Sequence, residues 1–185
     1  MKKMLIALLF IASSLSYSQI SGLQIVTKNN DTLRRVAFKS RELNDPRKNY
    51  KLQDEIEILN SRFETVNMKP ADVKSFSFKY GEDVVTYESR EGKIFALVLY
   101  DNKIKLLRFK RPAYTSVDIY VVERPDGKTS FLEAMGLSRR ISLKVIKREM
   151  TDCPATIANV ENDILKIHGE PGVLELVRDY ETSCY

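Results

Sequence analysis

The chain is 185 residues long and carries 30 lysines and arginines against 25 acids, a net charge of +5, with one histidine and no tryptophan. That length suits one domain with its own core, or two small lobes sharing one. A single histidine excludes paired-histidine metal sites, and seven scattered glycines with no P-loop or GxGxxG pattern exclude a phosphate-cradling loop.

Lys2 and Lys3 precede the apolar run Met4 to Ala12, about 14 Å as a helix against a bilayer core of about 30 Å. Ser16-Tyr17-Ser18 then places small residues at the two positions a signal peptidase reads. The pattern predicts a secretory signal peptide over residues 1–18, cut after Ser18, and a periplasmic or secreted product. No cysteine stands at the cut to take a lipid, and no later segment approaches a membrane span. Without Lys2 and Lys3 the net charge falls from +5 to +3, too mild to argue for nucleic acid in an exported protein.

After the cut, short strands alternate with turn signals. Leu23 to Lys28 and Thr32 to Lys39 flank Asn29-Asn30-Asp31, residues that tolerate the left-handed conformation of a tight hairpin. Arg41 to Asp54 is charged and reads as a surface excursion, and Glu55 to Leu59 as a strand. Pro70 starts one helical turn. Phe76 and Phe78 alternate with serine, and Gly81-Glu82-Asp83 turns the chain into Val84 to Glu88. Ile94 to Tyr100, the most apolar segment, is the expected central strand, joined at Asp101-Asn102 to Ile104 to Phe109. Val117 to Glu123 precedes Pro125-Asp126-Gly127, the strongest turn signal.

From Ser138 the period changes to that of helices. Ser138 is placed to cap a helix running to about Met150. Pro154 opens a second, ended by Gly169, and Pro171 introduces a third with Val173, Leu174, Leu176, Val177 and Tyr180. Strands first and helices last define an α+β fold: an antiparallel meander of about eight or nine strands over residues 19–132, with a cap of about three helices over 133–185 packed on it as one domain. An outer-membrane barrel would alternate up to its final residue, and 180–185 does not. In an exported chain an even cysteine count predicts a disulfide, Cys153 to Cys184. The alternatives are two buried thiols, or a Cys184 that pairs with another chain.

Gly22-Leu23-Gln24-Ile25-Val26, Asn30-Asp31-Thr32-Leu33, Lys69 to Phe76, Asp152-Cys153-Pro154 and Leu176 to Tyr180 before the final cysteine carry a likeness. In these segments the chain resembles small secreted proteins of unknown function from Gram-negative bacteria. The resemblance implies an exported β-rich domain with a helical tail, and it brings no catalytic residues with it.

Residues suited to catalysis are scarce. His168 has no GxSxG serine to serve, and no carboxylate pair stands out among the 25 acids. No cofactor is expected. Asp31-Thr32-Leu33 resembles the acceptor for O-linked glycans of some exported bacterial proteins, which makes Thr32 a candidate modification site. Two basic segments remain. Lys103, Lys105, Arg108, Lys110 and Arg111 crowd one stretch, and Arg140, Lys144, Lys147 and Arg148 share one stripe of the first expected helix. Solvated faces explain both. They also suit an anionic envelope component or another envelope protein. The expected role is binding or structural support at the cell envelope. The rival is a hydrolase of envelope polymers acting through an unidentified carboxylate pair.

Overall fold

The computed structural model describes residues 20–39, 45, 47, 50–111, 117–134 and 140–185. The expected signal peptide and its cut lie outside the described residues, as do Ser138 and much of the expected 41–54 excursion. Among the described residues, eleven strands precede three α-helices, which is the α+β order that the change of period predicts. They are β1 (Ile20–Thr27), β2 (Thr32–Leu33), β3 (Ala37–Phe38), β4 (Ile56–Leu59), β5 (Thr65–Met68), β6 (Val73–Tyr80), β7 (Asp83–Arg90), β8 (Ile94–Asp101), β9 (Lys105–Arg111), β10 (Val117–Glu123) and β11 (Thr129–Ala134). The helices are α1 (Leu143–Glu149), α2 (Pro154–Glu161) and α3 (Gly169–Cys184). No described helix is long and apolar enough to cross a membrane.

Eight strands form one antiparallel sheet in the order β11-β10-β9-β8-β7-β6-β1-β2, so β6 to β11 are a meander with the β1–β2 hairpin added at one side. As expected, Asn30 turns that hairpin at a positive φ of 64°. The segment Thr32 to Lys39 is not one strand. Arg35 has a φ of 61°, which breaks the extended run, and the two halves pair in different sheets. β3, β4 and β5 make a separate three-stranded sheet.

One register line explains how the molecule is layered. Ile25, Phe76, Tyr87, Leu97, Arg108, Tyr120 and Leu132 are successive Cα partners across seven strands, so their side chains share one face. The small sheet covers the first half of that face. Leu52, Ile56 and Ile58 pack there with Ile25, Phe76, Phe78 and Phe95, and Phe38 meets Phe78 edge-on at 5.1 Å between centroids. The helices cover the second half, with Ile146, Met150, Val173, Leu176, Val177 and Tyr180 against Leu106, Tyr120, Val122 and Leu132. The two cores are separate clusters with a seam between them.

The strand β8 crosses that seam. Its first residues pair with β7 from Ile94 to Leu97, and its later ones pair with β9 from Leu97 to Asp101, with an irregularity after Val98. The sheet therefore splays on either side of Leu97. A splay leaves backbone groups without a neighbouring strand, and something else must satisfy them.

The helical tail departs from expectation in its boundaries. Ser142 caps α1, its side chain accepting from the Val145 N–H at 3.3 Å. Gly169 opens α3 and does not close α2, which ends at Glu161, so Ile164 lies outside any helix and is exposed. The start of α3 is held by close contact. A Cβ on Gly172 would stand 2.6 Å from the Lys166 carbonyl oxygen and 3.0 Å from Ile167 Cα. Alanine normally gains a helix about 1 kcal/mol over glycine. Here the clash reverses the sign, and Gly172→Ala is expected to destabilise by about 1–3 kcal/mol. A rise in the thermal midpoint would refute the close packing.

Candidate functional site

In the register line just described, Arg108 is the one charged residue between Leu97 and Tyr120. Its side chain is only 15% exposed. A guanidinium there has no packing rationale of its own, and half-burial of an unpaired charge is costly. Two groups compensate it. Nη1 donates to Glu170 in the first turn of α3, and Nη2 donates to the main-chain oxygen of Arg47.

Around Arg108 the splayed strands open a cleft lined by Arg47, Tyr50, Gln53, Tyr87, Leu97, Arg108 and Lys110. Tyr87 and Leu97 come from β7 and β8, and Arg108 and Lys110 from β9 at a spacing of two, which puts both on the covered face. The remaining wall is Arg47 and a 3-10 helix, Tyr50–Gln53. Gln53 is buried and fills the splay. Its Oε1 accepts the Lys110 N–H that no strand meets, while its Nε2 donates to the Tyr50 carbonyl at 3.0 Å. Gln53→Ala would strand that N–H, and is expected to cost about 1–3 kcal/mol. An unchanged urea midpoint would refute this role.

The electrostatics of the cleft are uneven. Arg47 donates from Nε to Asp45 at 3.1 Å and from Nη1 to Asp83 at 3.2 Å, and its guanidinium stands 5.4 Å from the centre of the Tyr80 ring. The hydrogen bond that Arg47 donates to Asp45 leads the influences that raise the Arg47 pKa. Arg108 is held by Glu170. Burial pushes the Tyr87 phenol well above its ordinary pKa, so it stays protonated. Lys110 forms no salt bridge among the described residues, and its cross-strand partner on the same face is the buried Asp118. Among those residues, too, no three His, Cys, Asp or Glu side chains converge as a metal site requires.

Of the basic residues singled out in the sequence, the fold brings only Arg108 and Lys110 together in this cleft. Lys105 and Arg111 share the opposite face of β9. Lys105 pairs with Glu88 at 2.8 Å and Asp101 at 3.6 Å, and Arg111 with Glu133 at 3.2 Å. Burial pushes the Lys105 ammonium down, but the Glu88 hydrogen bond and charge outweigh it and leave the pKa raised. Lys103 donates its main-chain N–H to Glu181 and its ammonium to the Tyr185 main-chain oxygen, both at 2.8 Å.

The expected helical stripe does not form as such. Arg140 precedes α1 and makes an isolated bridge with His168, because the helix starts only at Leu143. Of the other three, Lys147 pairs with Glu161 and Arg148 with Glu149 at 2.7 Å, and Lys144 stands exposed. Thr32 is exposed on β2 beside the hairpin tip. His168 occupies the position before α3 and makes no side-chain cap.

Sequence reasoning missed Arg47, Tyr50, Gln53 and Glu170 as neighbours of Arg108. The available signal was Tyr50 and Leu52, hydrophobic residues inside an otherwise charged stretch. Leu52 is buried under β4, β8 and β9.

Fold and cleft together define an α+β protein whose eight-stranded antiparallel sheet is covered half by a small sheet and half by helices, with a cationic cleft at the seam. The chain matches no family model, and neither a curated protein nor a solved structure is similar to it.

Proposed function

We propose that the protein is exported and acts by binding, with the seam cleft holding an anionic group of a cell-envelope component. Arg108 carries this reading. It is a charge placed in an apolar register line, held beside Lys110, and its acidic partner Glu170 arrives from a distant helix. A cleft rich in cations and phenols is equipped to donate hydrogen bonds to an anion. Export is supported by the leader-like N-terminus and by the Cys153–Cys184 disulfide, a cross-link typical of oxidising compartments. An exported product should show the intact mass of residues 19–185, and a product beginning at Met1 would overturn that part.

The hydrolase reading calls for two carboxyls whose pKa values are pushed apart, one of them upward. Hydrogen bonds from Lys93 and Lys128 hold Glu91 and Asp126 low. Asp152 is also held low, although burial pushes it up, and none of the three lines the cleft.

The binding reading is tested by NMR titration of the exported chain with phosphate, sulfate and acetate. Saturable shifts are expected at Tyr50, Arg108 and Lys110, and they should vanish in Lys110→Gln. If no anion produces them, the reading is overturned.

A further inference from the structure

The outer face of the large sheet carries a core with only one side. Ala96, Leu107 and Val121 are fully buried there, and Val117 and Ile119 nearly so. Val98 and Phe109 pack against them. All seven belong to β8, β9 and β10, and no other described element adds a hydrophobic side chain to the cluster. The two clusters of the covered face, by contrast, draw on the helices and on the small sheet. Side chains in the middle of one sheet face lose all contact with water only beneath a second layer.

Three stretches that reach beyond the described residues are anchored away from the middle of this face. The one between Lys39 and Tyr50 is held on the covered side, where Lys39 donates to the Glu57 carbonyl and Arg47 accepts from Arg108. Residues 135–139 lead to Ile141, which is buried among the helices. Residues 112–116 join Arg111 to Val117, which are cross-strand partners. A five-residue loop folds back by about 10 Å at most, and Val121 lies about 13 Å along β10 from Val117. Residues 1–19 remain, and they hold the apolar run Met4 to Ala12. We propose that this run docks on the outer face of β8, β9 and β10 in the uncut chain, as an intramolecular cover.

Reach and charge agree with this occupant. The run joins the fold at Ile20 through residues 13–19, a span of about 23 Å when extended. β1 lies four strand spacings from β9, about 19 Å. As a helix the run is about 14 Å long, enough to cross three strands whose outer axes stand about 10 Å apart. It carries no charge. That suits a face whose rim charges are already paired, Lys105 with Glu88, Arg111 with Glu133 and Arg90 with Glu123. If the chain is cut after Ser18, as the export reading has it, the cover leaves and the outer face opens. Cleavage would then act as a switch on this surface, separate from the seam cleft.

The test places the photo-crosslinker p-benzoylphenylalanine at Phe10 of the full chain, with the disulfide formed. Cross-links within one chain to peptides holding Ala96, Leu107 or Val121 are expected, and Leu8→Asp should abolish them by placing a charge in the contact. Methyl spectra of the full chain and of residues 19–185, at a dilution where both sediment as monomers, give a second readout. The Leu107 and Val121 resonances should differ between the two chains, while those of Val173 and Leu176 beneath the helices should not. Cross-links only to other surfaces or between two chains, or none at all, would overturn the proposal. So would Leu107 and Val121 resonances that are the same in both chains. A failure of anion binding at the seam bears on none of these outcomes.

Discussion

Removing the Cys153–Cys184 disulfide is expected to destabilise the protein by roughly 3.5–4 kcal/mol, the chain-entropy value for a loop of this length. The bond closes a separation of 31 residues, with Cα atoms 5.8 Å apart, inside the usual range for an unforced bridge. Cys153 is the residue before α2 and Cys184 is the last of α3, so the bond fixes the end of the final helix to the start of the preceding one. Without it, the final turn of α3 is left to Glu181, which accepts from the Tyr100 hydroxyl and the Lys103 N–H, and to the Tyr185 contacts beyond it, and chain ends of that kind fray. For a chain of this size the loss corresponds to a thermal midpoint lower by about 7–15 °C. It is also a large share of a typical stability of about 5–15 kcal/mol.

Cys153→Ala with Cys184→Ala is the direct test, and reduction of the native protein is the check on it. Thr156 loses its contact with Cys153 Sγ in the variant but keeps its 2.7 Å bond to Asp179, so α2 and α3 remain tied there. The variant should therefore fold, with hydrogen exchange quickened most over residues 181–185. A midpoint that does not move on reduction would show that the cross-link adds nothing to the constraint already imposed by packing.

The elements that were legible in the sequence are those whose burial is periodic. β6 reads Val73, Phe76, Phe78 inward, β8 is nearly all apolar, and α3 buries Val173, Leu176, Val177 and Tyr180 at helical spacing. Boundaries were less legible because their causes are tertiary. The start of α3 at Gly169 depends on Gly172 lying against Lys166 and Ile167, a contact that no local pattern carries. β5 escaped notice because three of its four residues are exposed and it exists only by pairing with β4.

The site was half legible. Charge density singled out Arg108 and Lys110, which the fold places in one cleft, but it gave equal weight to Lys105 and Arg111. Those two point to the other face of the same strand and are paired there. A period of two separates the pairs, and only the cross-strand register shows which pair lies on the covered face.

The second large effect is expected at Arg124. Its side chain is 5% exposed at the end of β10 and holds together parts of the chain that lie far apart in sequence. Nε donates to the Tyr180 hydroxyl, and Nη2 donates to Ser130 Oγ at 2.6 Å and to the Glu149 main-chain oxygen. The Tyr180 hydroxyl in turn donates to Asp152 at 2.8 Å, and Tyr185 donates to the same carboxylate at 3.0 Å. The guanidinium also lies 5.5 Å from the centre of the Tyr180 ring. The hairpin β10–β11, the end of α1, the turn before α2 and the length of α3 are thus joined through one planar fork, which lysine cannot reproduce.

Breaking a buried pair from one side costs about 3–5 kcal/mol when the partner's charge is left buried. The Asp152 side chain is 35% exposed and can recover water, so Arg124→Met is expected near the lower end, at about 3 kcal/mol. Tyr180→Phe removes one hydroxyl and should cost about 1–2 kcal/mol. Part of the network's contribution depends on pH. Burial pushes Asp152 up, but the hydrogen bonds from Tyr180 and Tyr185 and the Arg124 charge outweigh it, so its folded pKa lies below the ordinary 3.8. A carboxyl held low stabilises the fold above its unfolded pKa and loses that contribution as the pH falls through the folded value. The stability gap between the native chain and Asp152→Asn should accordingly be full at neutral pH and close in acid below 3.8.

Because Asp152 and Tyr185 adjoin the two bridged cysteines, the network and the disulfide should not act independently. A double-mutant cycle between Arg124→Met and the double cysteine variant is expected to show a coupling of about 0.5–3 kcal/mol, the range for residues that share one network. Strict additivity would mean that the disulfide restrains only the unfolded chain and leaves Asp152 and Tyr185 equally well placed without it. A loss of less than about 1 kcal/mol for Arg124→Met, the value of one ordinary hydrogen bond, would refute the joining role of the arginine itself.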